Sequence, residues 1–310
     1  MSAFAPLDVQ LTHPAVRDLA WAIASPGLLA ADHPHAAAVV PDAFCAKEVA
    51  ELSQLLHSLD RDPAPLTKWL ESHHSHRLGE YFERLVAFWL THAGAQELRV
   101  GFAVRDAGRV LGEFDLLFRH PKLGGLVHWE VAVKFYLLME PAAGLKGFLG
   151  PDCADRLVDK LDHLFGHQLL LAHTPAGRAA LGGAQPRAQA LVKGWLFFPL
   201  DASRPRLPEL SPAAPSGWWL RYGTRELPRP AEGERRWKVL PRLQWLAPAL
   251  GQEGERTLFE GDHLEHVLAT HFARARTPLL VARLAPVANG LWREDSRGFV
   301  VSPDWPSAPP

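Results

Sequence analysis

Leu126-Val127-His128-Trp129-Glu130-Val131-Ala132-Val133-Lys134-Phe135-Tyr136-Leu137-Leu138 decides how this chain is read. Its β-branched and aromatic content predicts one long strand. Successive side chains of a strand point to opposite faces. One face is then Trp129, Val131, Val133, Phe135 and Leu137, wholly apolar, and it belongs in a core. The other face is His128, Glu130, Ala132, Lys134 and Tyr136. A carboxylate and an ammonium therefore share the second face of a strand whose first face is buried. Lysine is poorly suited to such a strand.

Outward from this stretch, residues 98–104 and 110–119 read as two further strands. His120-Pro121-Lys122-Leu123-Gly124-Gly125 reads as the turn between the second and the third. If the hairpin closes there, Arg119 faces Leu126, Asp115 falls opposite Glu130, and Glu113 opposite Ala132. Directly opposed Cβ atoms lie about 4.5–5.5 Å apart. Two like charges so placed repel unless something positive sits between them, which a divalent cation and a nearby lysine would supply. A slip of two residues keeps the same face, so the face is better specified than the pairing.

Residues 76–93 predict a helix with Leu78, Phe82, Leu85, Val86 and Trp89 in one stripe. After a Gly/Pro-rich loop at 141–151, residues 152–173 predict a second amphipathic helix. Leu157, Leu161, Leu164, Phe165, Leu169 and Leu170 form its inner side. Residues 193–200 read as a short apolar strand. The order helix, three strands, helix, strand suggests an α/β fold with a mixed sheet flanked by helices. Residues 1–72 read as short helices, with helical spacing at 13–21 and 47–59, and Pro63 and Pro65 breaking the chain. The tail carries short strand-like runs and a helix near 263–274. The expected organisation is a helical N-terminal extension at 1–75, a core at 76–200, and an Arg/Trp/Pro-rich C-terminal extension at 201–310 packed on that core. No internal repeat is present.

Composition narrows the function classes. The chain has 310 residues, enough for one large domain or two ordinary ones. Apolar residues make up 47% and charged residues 22%, so a disordered chain is excluded. Lys+Arg at 33 against Asp+Glu at 34 argues against a tail-driven electrostatic nucleic-acid binder. Cys45 and Cys153 are too few for a zinc ribbon or a disulfide framework, and a reduced, cytoplasmic compartment fits. No apolar run of spanning length and no positively charged leader is found, so no membrane is expected. Frequent Ala, Pro and Arg look like the bias of a GC-rich bacterial genome, and the sixteen histidines are discounted with it.

Carboxylates with carbonyls and water suit Mg²⁺ or Mn²⁺. Such a metal binds a phosphate oxygen, lowers the pKa of a water and stabilises charge in the transition state. A lysine can orient or deprotonate the attacking water. The residues thus point to metal-dependent phosphodiester hydrolysis. The competing reading is an ordinary hairpin with solvated charges on one face.

Gly79-Glu80-Tyr81-Phe82-Glu83, then Gly112-Glu113-Phe114-Asp115-Leu116-Leu117, then Glu130-Val131-Ala132-Val133-Lys134, then a helix, resembles the PD-(D/E)XK phosphodiesterase superfamily, which has the restriction-endonuclease-like fold. More narrowly, HPAVRDLAW, RLGEYFERL, GEFDLL and WEVAVKFYL resemble an uncharacterised bacterial domain family placed in that superfamily. The narrower resemblance covers most of the chain, the broader one residues 76–200. It implies an α-β-β-β-α-β core, a Mg²⁺ (or Mn²⁺) site, and nuclease-like action with DNA or RNA as partner. The motif acids map to Asp115 and Glu130 as metal ligands, and the motif lysine to Lys134 as a catalytic residue. The usual pattern has one residue between acid and lysine, and here there are three. A degenerate nuclease fold acting as a nucleic-acid or protein binding module is the alternative. Hydrolysis of a smaller phosphodiester is a third reading. The first helix often supplies a further Glu. Glu83 flanks the apolar stripe, whereas Glu80 lies opposite, four residues before Arg84 as a solvated pair would be. Glu83 is the candidate, with an exposed helix glutamate as the competing reading.

The second helix carries Arg156, Lys160, His163, His167 and Gln168. Some superfamily members place a Gln or Lys here near the phosphate, and Gln168 is the candidate. His163 and His167 have metal-pair spacing but no third ligand. Residues 201–245 hold Arg204, Arg206, Arg221, Arg225, Arg229, Arg235, Arg236, Lys238 and Arg242 against five acids, with Trp218, Trp219, Trp237 and Trp245 interleaved. Such a mixture suits phosphate contact and base stacking. Core tryptophans with Arg on strand surfaces is the favoured reading. His73, His74 and His76 read as loop. No dinucleotide loop, P-loop, nucleophile elbow or HExxH motif occurs.

Overall fold

A computed structural model describes residues 10–72, 76–228 and 234–306. The N-terminal reading of Met1–Val9, His73, His74 and Arg229 lie outside the described residues. Helices dominate the N-terminal part and strands the C-terminal part, and the strands belong to a large mixed sheet. Two compact units are distinguished. The first comprises Met1–Lys134, Val158–Gly194 and Leu207–Ala214; the second comprises Phe135–Leu157, Trp195–Arg206 and Pro215–Pro310.

In the first unit the first five helices in chain order are α1 (Pro14–Ala24), α2 (Asp42–Glu51), α3 (Ser53–Arg61), α4 (Ala64–Glu71) and α5 (Leu78–His92). The expected 47–59 helix is interrupted at Leu52, whose ψ of 6° leaves the helical region. Pro63 and Pro65 do not end structure there: they open α4, because proline is tolerated in a helix's first turn. Residues Val16 to Ala24 of α1 are buried, including Arg17, which donates to Leu11 O, and Asp18, which accepts from Tyr81 Oη. The stripe expected on α5 is buried, and so are Ala87, Phe88 and Leu90, so this helix is covered on more than one side.

The sheet of this unit runs in the order β1 (Gln96–Asp106), β2 (Arg109–Arg119), β3 (Leu126–Leu138), then β5 (Arg187–Pro199). β3 spans the bounds read from the sequence. The register of β2 on β3 pairs Arg119 with Leu126 and Leu116 with Trp129, as the turn predicts. The face of Trp129 packs against Phe118, Trp89 and Phe44 with ring centroids 5.2, 5.7 and 6.1 Å away. His128, Glu130 and Ala132 on the opposite face are buried too, so β3 is covered on both sides there.

The long helix expected at 152–173 is shorter. α6 (Leu157–Gly166) ends before a 3-10 turn at Gln168–His173, and α7 (Pro175–Ala180) follows. Leu170, expected on the inner side, is 48% exposed because the turn rotates it out of the helical period. The strand expected at 193–200 begins earlier, at Arg187. Gly194, at φ +148°, lies so close to β3 that an added Cβ would fall 1.8 Å from Lys134 O. Only glycine fits that approach.

The second unit contains β4 (Phe148–Leu149), β6 (Ser216–Arg221), β7 (Arg236–Leu240), β8 (Leu250–Gln252), α8 (Gly261–Phe272), β9 (Leu279–Pro286) and β10 (Leu291–Val301). β6 pairs in parallel with both β5 and β10, and β9 is antiparallel to β10 and β7. Trp218, Trp237, Val281 and Val300 form a core under Leu264 and Leu268 of α8. Arg297 is 1% exposed there, with Glu294, Trp245 O and Ala247 O as partners and the Trp195 ring 4.0 Å away.

Candidate functional site

The acidic site lies in the first unit, where the β2–β3 ladder stops. Its last registered pair is Leu116 with Trp129. The Val131 amide beyond it donates to Asp115 Oδ2 at 2.8 Å, so a side-chain carboxylate takes a backbone donor that must be satisfied. Asp115 is thereby fixed beside Glu130, one step past the registered pairs, and the two carboxyls interact electrostatically.

Glu130 is 1% exposed, and both its oxygens are engaged from outside the pair. His128 Nε2 lies 2.7 Å from Oε1, and Gln168 Nε2 donates to Oε2 at 2.5 Å. Lys160 Nζ donates in turn to Gln168 Oε1 at 2.7 Å. Burial pulls His128 down to about 4, so the imidazole is neutral. A carboxylate partner places its proton on Nε2. Nδ1 is then a buried acceptor without a partner among the described residues.

Burial pushes all three carboxyls upward, and neighbouring acids add to the rise of Asp115 and Glu83. Asp115 rises to about 7 through burial and Glu130. Glu130 rises to about 7 through burial, opposed by Lys160. Glu83 on α5 rises to about 8 through burial and then Asp115, Glu113, Glu80 and Glu130. The structure therefore brings Glu83, Asp115 and Glu130 into one electrostatic cluster. Glu80 pairs with Arg77 at 3.7 Å.

Gln168 reaches the cluster from the 3-10 turn, not from a helix. Lys134 stands half-buried on β3, four residues beyond Glu130. Four residues of strand span about 13 Å, against about 7 Å for two. The sequence alone assigns no role to His128 or Lys160. The signal for His128 was its place on the face of Glu130, two residues away; that for Lys160 was a scarce lysine eight residues before Gln168.

Among the described residues, no group of three or more His, Cys, Asp or Glu side chains is set to hold a metal ion. The donor chemistry nonetheless fits a hard divalent cation. Asp115 and Glu130 set two carboxyls side by side with raised proton affinity, and hard oxygen donors of this kind suit a cation such as Mg²⁺. His163 and His167 stack with centroids 5.5 Å apart on an exposed surface. Trp218, Trp219, Trp237 and Trp245 are buried in the second unit. Arg225, Arg235, Arg236, Lys238 and Arg242 are paired with acids there, which is the core-and-surface reading of that segment. Both cysteines are free, and among the described residues no helix is long and apolar enough to cross a membrane.

A family model described as "Domain of unknown function (DUF1853)" matches residues 17–301. No curated protein and no solved structure gives a match.

Proposed function

Since the chain belongs to the DUF1853 family, which carries no assigned activity, we propose from the site itself that it is a metal-dependent phosphodiesterase acting on nucleic acid in the cytoplasm. The carrying observation is the cluster of half-buried Glu83 and Asp115 with buried Glu130, in which burial raises all three carboxyls and Glu130 further raises the other two, a repulsion that a divalent cation would relieve. The order α5, β1, β2, β3, α6, β5, with β1-β2-β3-β5 adjacent in the sheet, supports a restriction-endonuclease-like core.

Asp115 and Glu130 would hold Mg²⁺ or Mn²⁺, with Glu83 beside them. When bound, the ion supplies Lewis-acid charge to a phosphate oxygen and lowers the pKa of a water. The chain's own residues do the rest. The Val131 amide fixes the Asp115 carboxylate, and His128 and Gln168 fix that of Glu130. Glu83, raised to about 8, holds a proton at neutral pH and can exchange it with water. A second reading, a nuclease fold kept only for binding, is favoured by the full occupation of both Glu130 oxygens by protein donors.

The test is cleavage of single- and double-stranded DNA and RNA with Mg²⁺ or Mn²⁺. Asp115→Asn and Glu130→Gln are both expected to abolish it while the fold is retained. Cleavage that survives both substitutions overturns the assignment. Nucleic acid bound without metal or cleavage would select the second reading.

A further inference from the structure

A lysine ammonium donates hydrogen bonds and accepts none. That constraint decides the orientation of Gln168. With Lys160 Nζ at 2.7 Å, the amide oxygen is committed to the lysine, and the NH₂ group is left facing Glu130 Oε2 at 2.5 Å. Without the lysine, the Glu130 contact alone would orient the amide, and the Gln168 oxygen would lose its donor beside a buried site, where an unmet polar contact is expensive.

The local backbone allows this linkage. α6 ends at Gly166, and His167, at φ −133° and ψ −60°, turns the chain away from the helical path. Gln168 thereby leaves the helix while Lys160 stays on it. Lys160 also opposes the rise of Glu130, so its charge is felt at the acid pair. The lysine on β3 stands about 13 Å along the strand from Glu130.

From these contacts we infer that Lys160 is the lysine that serves the acidic site, as a positioning residue acting through Gln168 on Glu130, in preference to Lys134. For its effect on catalysis the inference rests on the phosphodiesterase reading; for the linkage itself it does not.

Two measurements separate these. The first is the ¹⁵N–¹H spectrum of the Gln168 side-chain amide, assigned by its loss in Gln168→Glu. Lys160→Met is expected to shift that resonance pair, Lys160→Arg to restore it toward its original position, and Lys134→Met to move it less than Lys160→Met. The second is Mn²⁺ affinity by electron paramagnetic resonance, together with kcat on whichever of the DNA or RNA substrates the wild-type chain cleaves. Residues that orient a metal ligand typically change such quantities about 10–100-fold. Lys160→Met is expected to lose that much with the fold retained by circular dichroism, with partial recovery in Lys160→Arg and a smaller loss in Lys134→Met. An unmoved Gln168 amide in Lys160→Met overturns the linkage. A larger loss in Lys134→Met than in Lys160→Met overturns the preference for Lys160. A wild-type chain that neither binds Mn²⁺ nor cleaves overturns the phosphodiesterase reading alone, and the spectrum still decides the linkage.

Discussion

Glu83, Asp115 and Glu130 hold their protons to about 8, 7 and 7, against ordinary values of 4.5, 3.8 and 4.5. The folded chain therefore binds protons over a range in which the unfolded chain has lost them. Their contribution to stability is fully present below about pH 4 and is lost as pH rises through 7 to 8. His128 acts oppositely. Its folded value of about 4 lies below the ordinary 6.5, so stability is lost as pH falls from 6.5 toward 4. Of these four groups, only the acids change their protonation between pH 6.5 and 8, and their contribution is expected to lower the thermal midpoint across that window. Glu83→Gln should raise the midpoint at pH 8 and flatten the decline; an unaltered slope in a thermal melt series would contradict the cluster. At the same scale, Arg297→Ala strands Glu294 in a buried site, and denaturant titration should show a loss of about 3–5 kcal/mol.

At the scale of elements, β3 was readable because its alternation and its flanking turn agree. The hydrophobic pattern, the Gly124-Gly125 turn and the β2 register all require the same face assignment. What alternation could not show was that the second face would be buried as well. The elements that cover it, such as the turn carrying Gln168, come from distant sequence. The helix at 152–173 was overextended for a related reason. Leu169 and Leu170 continue the apolar spacing past Gly166, but periodicity does not register a chain that has already changed to a tighter turn. The acids of the site were legible because like charges on one strand face need an explanation. The donors that hold them were not, since a histidine or glutamine carries no such signal alone. Where β5 passes β3, Gly194→Ala would push a methyl group onto Lys134 O. A loss of about 3 kcal/mol is expected by denaturant titration, and a neutral outcome would mean the two strands can separate there at little cost.

For the whole molecule, the acid cluster ties stability to ligand. A cation that binds the folded chain and not the unfolded one raises the thermal midpoint by mass action. Protons compete for the same carboxylates, so Mn²⁺ should raise the midpoint more at pH 8 than at pH 6. Equal shifts at the two pH values would separate any metal binding from Glu83, Asp115 and Glu130.

The Val131 amide has a consequence for solvent exchange. Its protection is provided by a side chain, Asp115, rather than by a neighbouring strand's carbonyl. Deuterium should therefore enter this peptide group at a rate set by the carboxyl it serves, while the amides between Leu126 and Trp129 follow the opening of the hairpin. In Asp115→Ala that single amide would become one of the fastest on β3, a clock at one position of the strand that reads the state of the acid pair directly.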